Sequence, residues 1–214
     1  MTIAEKPRIA QEPGHVFFIR HASWELYEQM LREFENQHIR ITYDQGRMVL
    51  MSPLPIHDKI KTMAGRLIEM ATFELDIPVS SFGSTTWKRR DLANGLEADE
   101  CYYIQNEPLV HGRTDIDLAR DPAPDLAVEI DITHNPLNRN SIYAALGVGE
   151  IWRFDGESFS FHRRVSEGSY ERIEASIALP FMTPAIVEQF VQQVLQDENA
   201  GLRSFVKWVR GLDL

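Results

Sequence analysis

The sequence contains a single cysteine, Cys101, in 214 residues. A disulfide within this sequence is therefore excluded, and no histidine-based pattern accompanies Cys101 to make it a catalytic thiol. No stretch has the roughly 18 consecutive apolar residues that a membrane-spanning helix needs. The first residues mix acids and bases without the apolar core of a secretory signal. We therefore expect a cytoplasmic protein that is not inserted in a membrane, with Cys101 as a small buried hydrophobic residue.

Low-complexity tracts and internal repeats are also missing, and 43% hydrophobic with 25% charged residues is ordinary for a globular protein. The negative charge is uneven. Between Asn94 and Asp131 ten acids face two bases, Arg113 and Arg120, which gives a local net charge of −8 in a chain of −10. Because the acidity is mostly local, the overall charge does not exclude a polyanionic partner.

Two stretches within this acidic region alternate as strands do. In the stretch from Pro124 to His134, PDLAVEIDITH, every second residue is apolar, so a strand there would place Glu129 and Asp131 on its other face. The stretch EADECYYI, from Glu97 to Ile104, alternates in the same way and carries Asp99. If the two strands are neighbours, we expect Asp99 to meet Glu129.

Carboxylates brought together on buried strand positions repel one another, which raises their pKa values unless a cation compensates. Oxygen ligands with no neighbouring pair of histidines or cysteines favour Mg²⁺ or Mn²⁺ over zinc. Such an ion commonly serves phosphate-ester chemistry. The alternative is a strand whose polar face contacts water and holds no ligand.

The positions of Pro, Gly and helix-capping residues divide the chain into three predicted segments. We expect an extended N-terminal arm over residues 1–20, a main domain over 21–180, and a helical C-terminal extension over 181–214, whose first helix opens at Thr183-Pro184. Because the extension is rich in apolar residues, it should pack on the same domain or on a partner subunit.

Hydrophobic periodicity predicts the following elements within the main domain. They are a helix from Ser23 to about Asn36, a hairpin around Asp44-Gln45-Gly46, a helix over 57–75, a strand over 79–87, an Asn94-Gly95 turn, strands over 98–104 and 125–132, a helix over 138–147 that ends at Gly147, and a strand over 149–155.

Two further groups of polar residues have two interpretations each. His57 and Asp58 fall in the first turn of a predicted helix, where Asp58 can complement the helix dipole or either side chain can face the acidic site. The basic run Lys88, Arg89 and Arg90 is either solvated surface or a set of contacts to a phosphate backbone.

In its order of elements the chain resembles the αβββαβ core of the PD-(D/E)XK nuclease superfamily. Within that superfamily it is similar to the putative restriction endonuclease family, whose members carry stretches like EADECYYI, PDLAVEIDIT and YAALGVGEIWRFDG. The resemblance covers roughly residues 20 to 180. It implies an α/β, restriction-endonuclease-like fold with a mixed sheet, to which this chain adds an N-terminal helix and hairpin and C-terminal helices.

The resemblance also implies roles for particular residues. Asp99 and Glu129 match the acids that bind the metal. Many of these nucleases have a lysine two residues after the second acid, where this chain has Asp131. In the family the lysine stands on the following helix, four residues before a tyrosine, and here that position before Tyr143 is Arg139. Arginine keeps its charge and can position or stabilise, whereas lysine can also release a proton.

Two hypotheses follow. The first is a Mg²⁺- or Mn²⁺-dependent endonuclease that hydrolyses DNA phosphodiester bonds as a homodimer. Its metal ligands would be Asp99 and Glu129, Asp131 would assist, and Arg139 would face the phosphate. The second is a nuclease-fold module that binds nucleic acid or mediates assembly but cleaves weakly or not at all. A metal-dependent hydrolase of small phosphate esters, which would need a closed pocket, is a third.

Overall fold

The computed structural model describes residues 15–132, 135–166 and 168–213. Six helices in those ranges are α1 (Trp24–Glu33), α2 (Pro55–Glu74), α3 (Glu107–Val110), α4 (Arg139–Leu146), α5 (Pro184–Gln196) and α6 (Glu198–Val209). The strands are β1 (Val16–Arg20), β2 (Arg40–Asp44), β3 (Arg47–Met51), β4 (Ser80–Ser81), β5 (Thr86–Arg89), β6 (Asn94–Glu97), β7 (Glu100–Tyr103), β8 (Leu126–Ile130), β9 (Glu150–Phe154), β10 (Phe159–Ser166) and β11 (Ser169–Ile173).

The first sheet has the strand order β1-β3-β2-β6-β5 and is antiparallel throughout. Its central hairpin turns at Gln45 and Gly46, whose φ angles of 46° and 86° are those a two-residue type I′ turn requires. Helix α1 starts at Ser23, whose hydroxyl accepts a hydrogen bond from Leu26 N at 3.1 Å. The predicted turn and N-cap are therefore confirmed.

The second sheet has the order β11-β10-β9-β8-β7-β4, in which only β8 and β9 are parallel. Helix α4 connects these two strands. It ends at Gly147, which has a left-handed φ of 93°. Helix α2, strands β4, β7 and β8, helix α4 and strand β9 follow the expected αβββαβ order. The structure thus confirms the α/β class and the mixed sheet.

Helix α5 packs on α2 and directly on β10 of this second sheet, and α6 packs on α2 and α5. Thr183 caps α5, and Pro184 occupies its first turn, as predicted. Phe190 of α5 and Phe205 of α6 stack edge to face with ring centroids 5.1 Å apart, within the same apolar core as Leu67 of α2. Their apolar faces are therefore covered within one chain, and the homodimer stays a prediction.

Two predictions about the region between α2 and β8 are wrong. The strand predicted over 79–87 is two short strands, with β4 in the second sheet and β5 in the first. The predicted Asn94-Gly95 turn is part of β6. A side chain at Gly95 would put its Cβ 2.3 Å from the Tyr27 hydroxyl, so this glycine serves close packing, and the turn lies at 90–93 with Ala93 at a φ of 50°.

The strand predicted over 98–104 begins at Glu100, because the chain passes from the first sheet to the second between β6 and β7. Of the predicted N-terminal arm, residues 1–14 lie outside the described residues. Its last five residues, Val16–Arg20, form β1 against β3. No helix in the described ranges is long and apolar enough to cross a membrane.

Candidate active site between the two sheets

Asp99 and Glu129 come together where β7 and β8 pair. The antiparallel register sets Glu100 opposite Val128, which places Asp99 opposite Glu129 one residue further on. Both carboxylate side chains are buried, with only 3% and 6% of their surface exposed. Two carboxylates with so little water around them require positively charged or hydrogen-bonding partners.

The partners of Glu129 come from α4. Arg139 and Tyr143 lie one turn apart on this helix and therefore project to the same side. Glu129 Oε2 accepts hydrogen bonds from Arg139 Nη2 at 2.8 Å and from the Tyr143 hydroxyl at 2.6 Å, and Arg139 Nε forms an ion pair with Oε1. Burial raises the pKa of Glu129, and the charge of Arg139 opposes that rise. The guanidinium predicted to face a phosphate thus faces Glu129.

Arg139 is also anchored to the first sheet. Its Nη1 donates to Thr42 Oγ1 at 2.7 Å, and its Nη2 donates to the carbonyl oxygen of Glu97 at 2.8 Å. Burial alone would lower the pKa of Arg139, but the neighbouring Glu129 raises it overall. The side chain, only 5% exposed, therefore stays charged and ties α4 to β2, β6 and β8.

The partners of Asp99 come from three other segments. His57 Nε2 lies 3.1 Å from Asp99 Oδ2, the backbone N–H of Ile130 donates to the same oxygen at 2.7 Å, and Arg40 Nη2 lies 3.6 Å from Oδ1. Burial pushes the pKa of Asp99 upward, but the hydrogen bond and charge of His57, with the two arginines, hold it below its usual value. Asp99 is therefore a carboxylate and not a neutral acid.

The two candidate residues in the first turn of α2 have different positions. His57 is buried and contacts Asp99, and its Nδ1 has no hydrogen-bond partner in the described part of the chain. Asp58 is 34% exposed and pairs with His38 at 2.9 Å. Its Oδ1 is 3.8 Å from His57 Nδ1. The structure brings His57 into the site and leaves Asp58 beside it.

Arg40 and Glu97 belong to the same buried cluster, and sequence reasoning missed both as members. Arg40 Nη1 donates to Glu97 Oε1 at 2.6 Å and to the Ala98 carbonyl at 3.2 Å. The cluster then contains three acids, Glu97, Asp99 and Glu129, against Arg40, Arg139 and His57. The sequence RITYD shows only that Arg40 and Thr42 share one face of a strand. The structure adds that all five residues of this strand are buried, which the sequence did not indicate.

A cavity of about 10 Å³ lies on one side of the cluster, enough for one group of the size of a water molecule. Asp99, Glu129, Asp131, Asn135 and Arg139 are among the residues that line it. Asp131 forms an ion pair with Arg153. It contributes to the cavity wall without contacting either of the two buried acids.

The donor set fits Mg²⁺ or Mn²⁺ in kind. The described residues contain no group of three or more His, Cys, Asp or Glu placed to hold a metal ion. Mg²⁺, however, is ordinarily held by one or two carboxylates together with water and phosphate oxygens. Asp99 and Glu129 match that pattern, although both oxygens of Glu129 already pair with Arg139.

The basic run is only partly connected to this cluster. Lys88 lines a larger cavity of about 640 Å³ that also reaches Glu97 and Arg40, whereas Arg89 and Arg90 do not line it. All three side chains have acidic partners. The pairs are Lys88–Glu28 at 3.4 Å, Arg89–Asp91 at 2.5 Å and Arg90–Glu25 at 2.5 Å.

Comparison with known proteins shows similarity to a protein family and to a solved structure. A model of the Uma2 family, described as putative restriction endonuclease, matches residues 24–196. A crystal structure described as a putative nuclease belonging to DUF820 from Anabaena variabilis ATCC 29413, at 1.96 Å resolution, is 14% identical, covers 78% of this chain and 90% of that chain, and has a TM-score of 0.44. None of the curated proteins matches the chain.

Proposed function

The chain belongs to the Uma2 family of putative restriction endonucleases, and on that premise we propose that it is a metal-dependent endonuclease that hydrolyses DNA phosphodiester bonds. The observation that carries the proposal is the meeting of Asp99 and Glu129 at one small buried cavity, with Arg139 beside them. We further propose that the protein acts in the cytoplasm and as a homodimer.

Asp99 and Glu129 are the residues that would hold Mg²⁺ or Mn²⁺. A bound divalent ion would supply an activated water molecule and neutralise charge on the phosphate. Neighbouring residues prepare Asp99 to act as a ligand. His57 and Arg40 keep Asp99 ionised, and the Ile130 N–H fixes the orientation of its carboxylate.

Arg139 would act as a fixed positive charge. Its contacts to Thr42 and to the Glu97 carbonyl hold the guanidinium at the cavity without help from Glu129. A fixed charge there stabilises negative charge that develops on a phosphate at the cavity. Because arginine does not release its proton, Arg139 would position and stabilise, and it would not serve as a general acid.

Asp131 and Lys88 would have supporting roles. Asp131, held by Arg153 at the cavity wall, would orient a water molecule that enters the cavity. Lys88 would contact the DNA backbone from the larger cavity, with Arg89 at the end of the same strand and Arg90 in the turn that follows. His57 would contribute through Asp99, and Asp58 would face the substrate from the start of α2, where it is paired with His38.

The test is nicking of supercoiled plasmid at low salt with Mg²⁺ or Mn²⁺. We expect nicking by the unaltered protein, loss on removal of metal, and loss in Asp99→Asn and Glu129→Gln. The matched control is Arg163→Ala, an exposed position on β10 that is paired with Glu171, and it should cleave normally. Circular dichroism of each variant checks folding. Nicking that persists in folded Glu129→Gln would contradict the proposal.

A second candidate function is supported by one observation, the pairing of both Glu129 oxygens with Arg139. A chain whose second metal ligand is neutralised internally can bind nucleic acid without cutting it. This alternative predicts that the unaltered protein binds DNA and does not nick it. It also predicts that Asp99→Asn leaves DNA affinity unchanged.

A further inference from the structure

The face of the second sheet that carries Glu129 continues as a row of basic side chains. Arg153 of β9 lies opposite Glu129, Ser160 of β10 lies opposite Arg153, and Arg172 of β11 lies opposite His162. Residues opposed in a ladder project to the same face, as do residues two apart in one strand. Arg153, His162 and Arg172, here named the basic stripe, therefore share the face of Glu129.

The stripe is exposed progressively as it leaves the buried site. The Arg153 side chain is 24% exposed and is held by Asp131 and by Asn140 Oδ1 at 2.9 Å. Arg172 is exposed and makes no side-chain hydrogen bond or ion pair with the residues that the structure describes. Burial lowers the pKa of His162, and the charges of Arg153 and Arg172 lower it further. The two arginines thus create a positive potential at its ring.

We propose that the basic stripe binds the phosphate backbone of the nucleic acid and leads it from the Asp99–Glu129 site across β9, β10 and β11. Neighbouring strands lie roughly 4.8 Å apart, so the row from β8 to β11 spans about 14 Å. That span corresponds to about four nucleotides at 3.4 Å each along one strand. The inference rests on the proposed function, because it assumes that the partner of the site is a nucleic acid.

The stripe is better suited to phosphates than the basic run Lys88–Arg90. Each side chain of that run is paired with an acid, so a phosphate would have to displace a carboxylate. In the stripe, Asp131 compensates Arg153, and Arg172 has no acidic partner among the described residues. Uncompensated charge is what attracts a polyanion and releases its counterions.

The experiment is anisotropy of a labelled duplex oligonucleotide with the full chain in EDTA, where metal-dependent cleavage does not interfere, at several salt concentrations. The variants are Arg172→Ala and Arg172→Glu. The matched control is Arg163→Ala, which neighbours His162 on the opposite face and pairs with Glu171. Arg90→Ala reports on the basic run, which the proposed function places beside the DNA backbone. All three positions are on the surface, and thermal unfolding of each variant confirms that it folds.

We expect Arg172→Ala to weaken binding and to lower the slope of log affinity against log salt by about 0.9, the value for one phosphate contact. Arg172→Glu should weaken binding further, and Arg163→Ala should bind as the unaltered protein does. Arg90→Ala should lose less affinity than Arg172→Ala, because Arg90 is already paired with Glu25. Any of three results would contradict the proposal that the stripe binds DNA. They are unchanged binding by Arg172→Glu, a loss of affinity confined to Arg90→Ala, and no binding by the unaltered protein. If the protein binds DNA through the stripe but does not nick it in Mg²⁺ or Mn²⁺, the proposed endonuclease activity is rejected. The proposal that the stripe binds DNA is then retained.

Discussion

The two faces of β8 are stabilised by different kinds of interaction. On the face toward α2, Leu126, Val128 and Ile130 pack into a dry apolar core that includes Trp152 stacked on Phe161 at 4.3 Å. On the face toward α4, Ala127 is followed by Glu129, whose contacts are directional hydrogen bonds and charges. The faces alternate residue by residue along one strand.

This difference determines what each face tolerates. Apolar contacts are summed over area and adjust to small changes in shape. A buried charge has specific partners, and removing one of them leaves the other uncompensated. The apolar face should therefore set the stability of the sheet in graded steps, and the charged face should respond to single changes with large losses.

The largest effect is expected for Arg139→Ala. The change leaves Glu129 buried with Tyr143 as its remaining side-chain partner, and breaking a buried pair in this way costs about 3–5 kcal/mol. Urea unfolding measures the loss. The double variant Glu129→Ala, Arg139→Ala should be more stable than Arg139→Ala, because no uncompensated charge remains. A double variant at least as unstable as the single one would contradict this account of the charged face.

The next effect concerns the apolar face. Val128 is fully buried beside Glu129 in sequence, and Val128→Ala should lower the free energy of unfolding by about 1.5–3 kcal/mol through lost burial. Because Val128 does not contact the charged cluster, Mn²⁺ affinity should be unchanged at a temperature where the variant is folded. Isothermal titration calorimetry measures that affinity, and a loss of metal binding would show that the two faces are not independent.

A third prediction concerns competition between a metal ion and Arg139. Arg139 and a divalent ion compete for the same Glu129 oxygens. Arg139→Lys removes at least one hydrogen bond to a charged group, worth about 1.5–3 kcal/mol, which corresponds to about tenfold or more in affinity. Mn²⁺ titration followed by electron paramagnetic resonance should show tighter binding by Arg139→Lys. Arg163→Lys is the control, and equal affinities would exclude competition.

The apolar face was the more predictable of the two. Alternation along β8 and helical spacing along α2 depend on local sequence, and both elements were found within two residues of their expected bounds. Capping signals at Ser23, Thr183 and Gly147 were equally local. The split of the predicted strand over 79–87 between two sheets was not predictable, because it depends on which sheet offers a partner for each half.

On the charged face, only the positions of the acidic residues could be predicted from the sequence. Asp99 and Glu129 follow from strand alternation and register. Arg40, which contacts Asp99, and Thr42, which contacts Arg139, come from a hairpin more than 50 residues earlier in the chain. Their contribution depends on the first sheet packing its polar face inward, which no local pattern indicates. Asp131 illustrates the same point, because its partner Arg153 is set by the parallel register of β8 with β9.

The smallest expected effect is a pH dependence of stability that arises from His162, in the outer part of the charged face. His162 faces Arg153, Arg172 and Ser160, and burial with the two arginines lowers its pKa in the folded protein, whereas the unfolded chain should titrate near 6.5. Below about pH 6.5 the unfolded chain therefore binds more protons than the folded protein, and stability falls as pH decreases through this range. Because the ring is partly exposed, we expect the loss to stay below about 1 kcal/mol. Urea unfolding at pH 8 and pH 5.5 should show a larger decrease for the unaltered protein than for His162→Gln. Equal decreases would mean that neither burial nor the two arginines lower the pKa of His162.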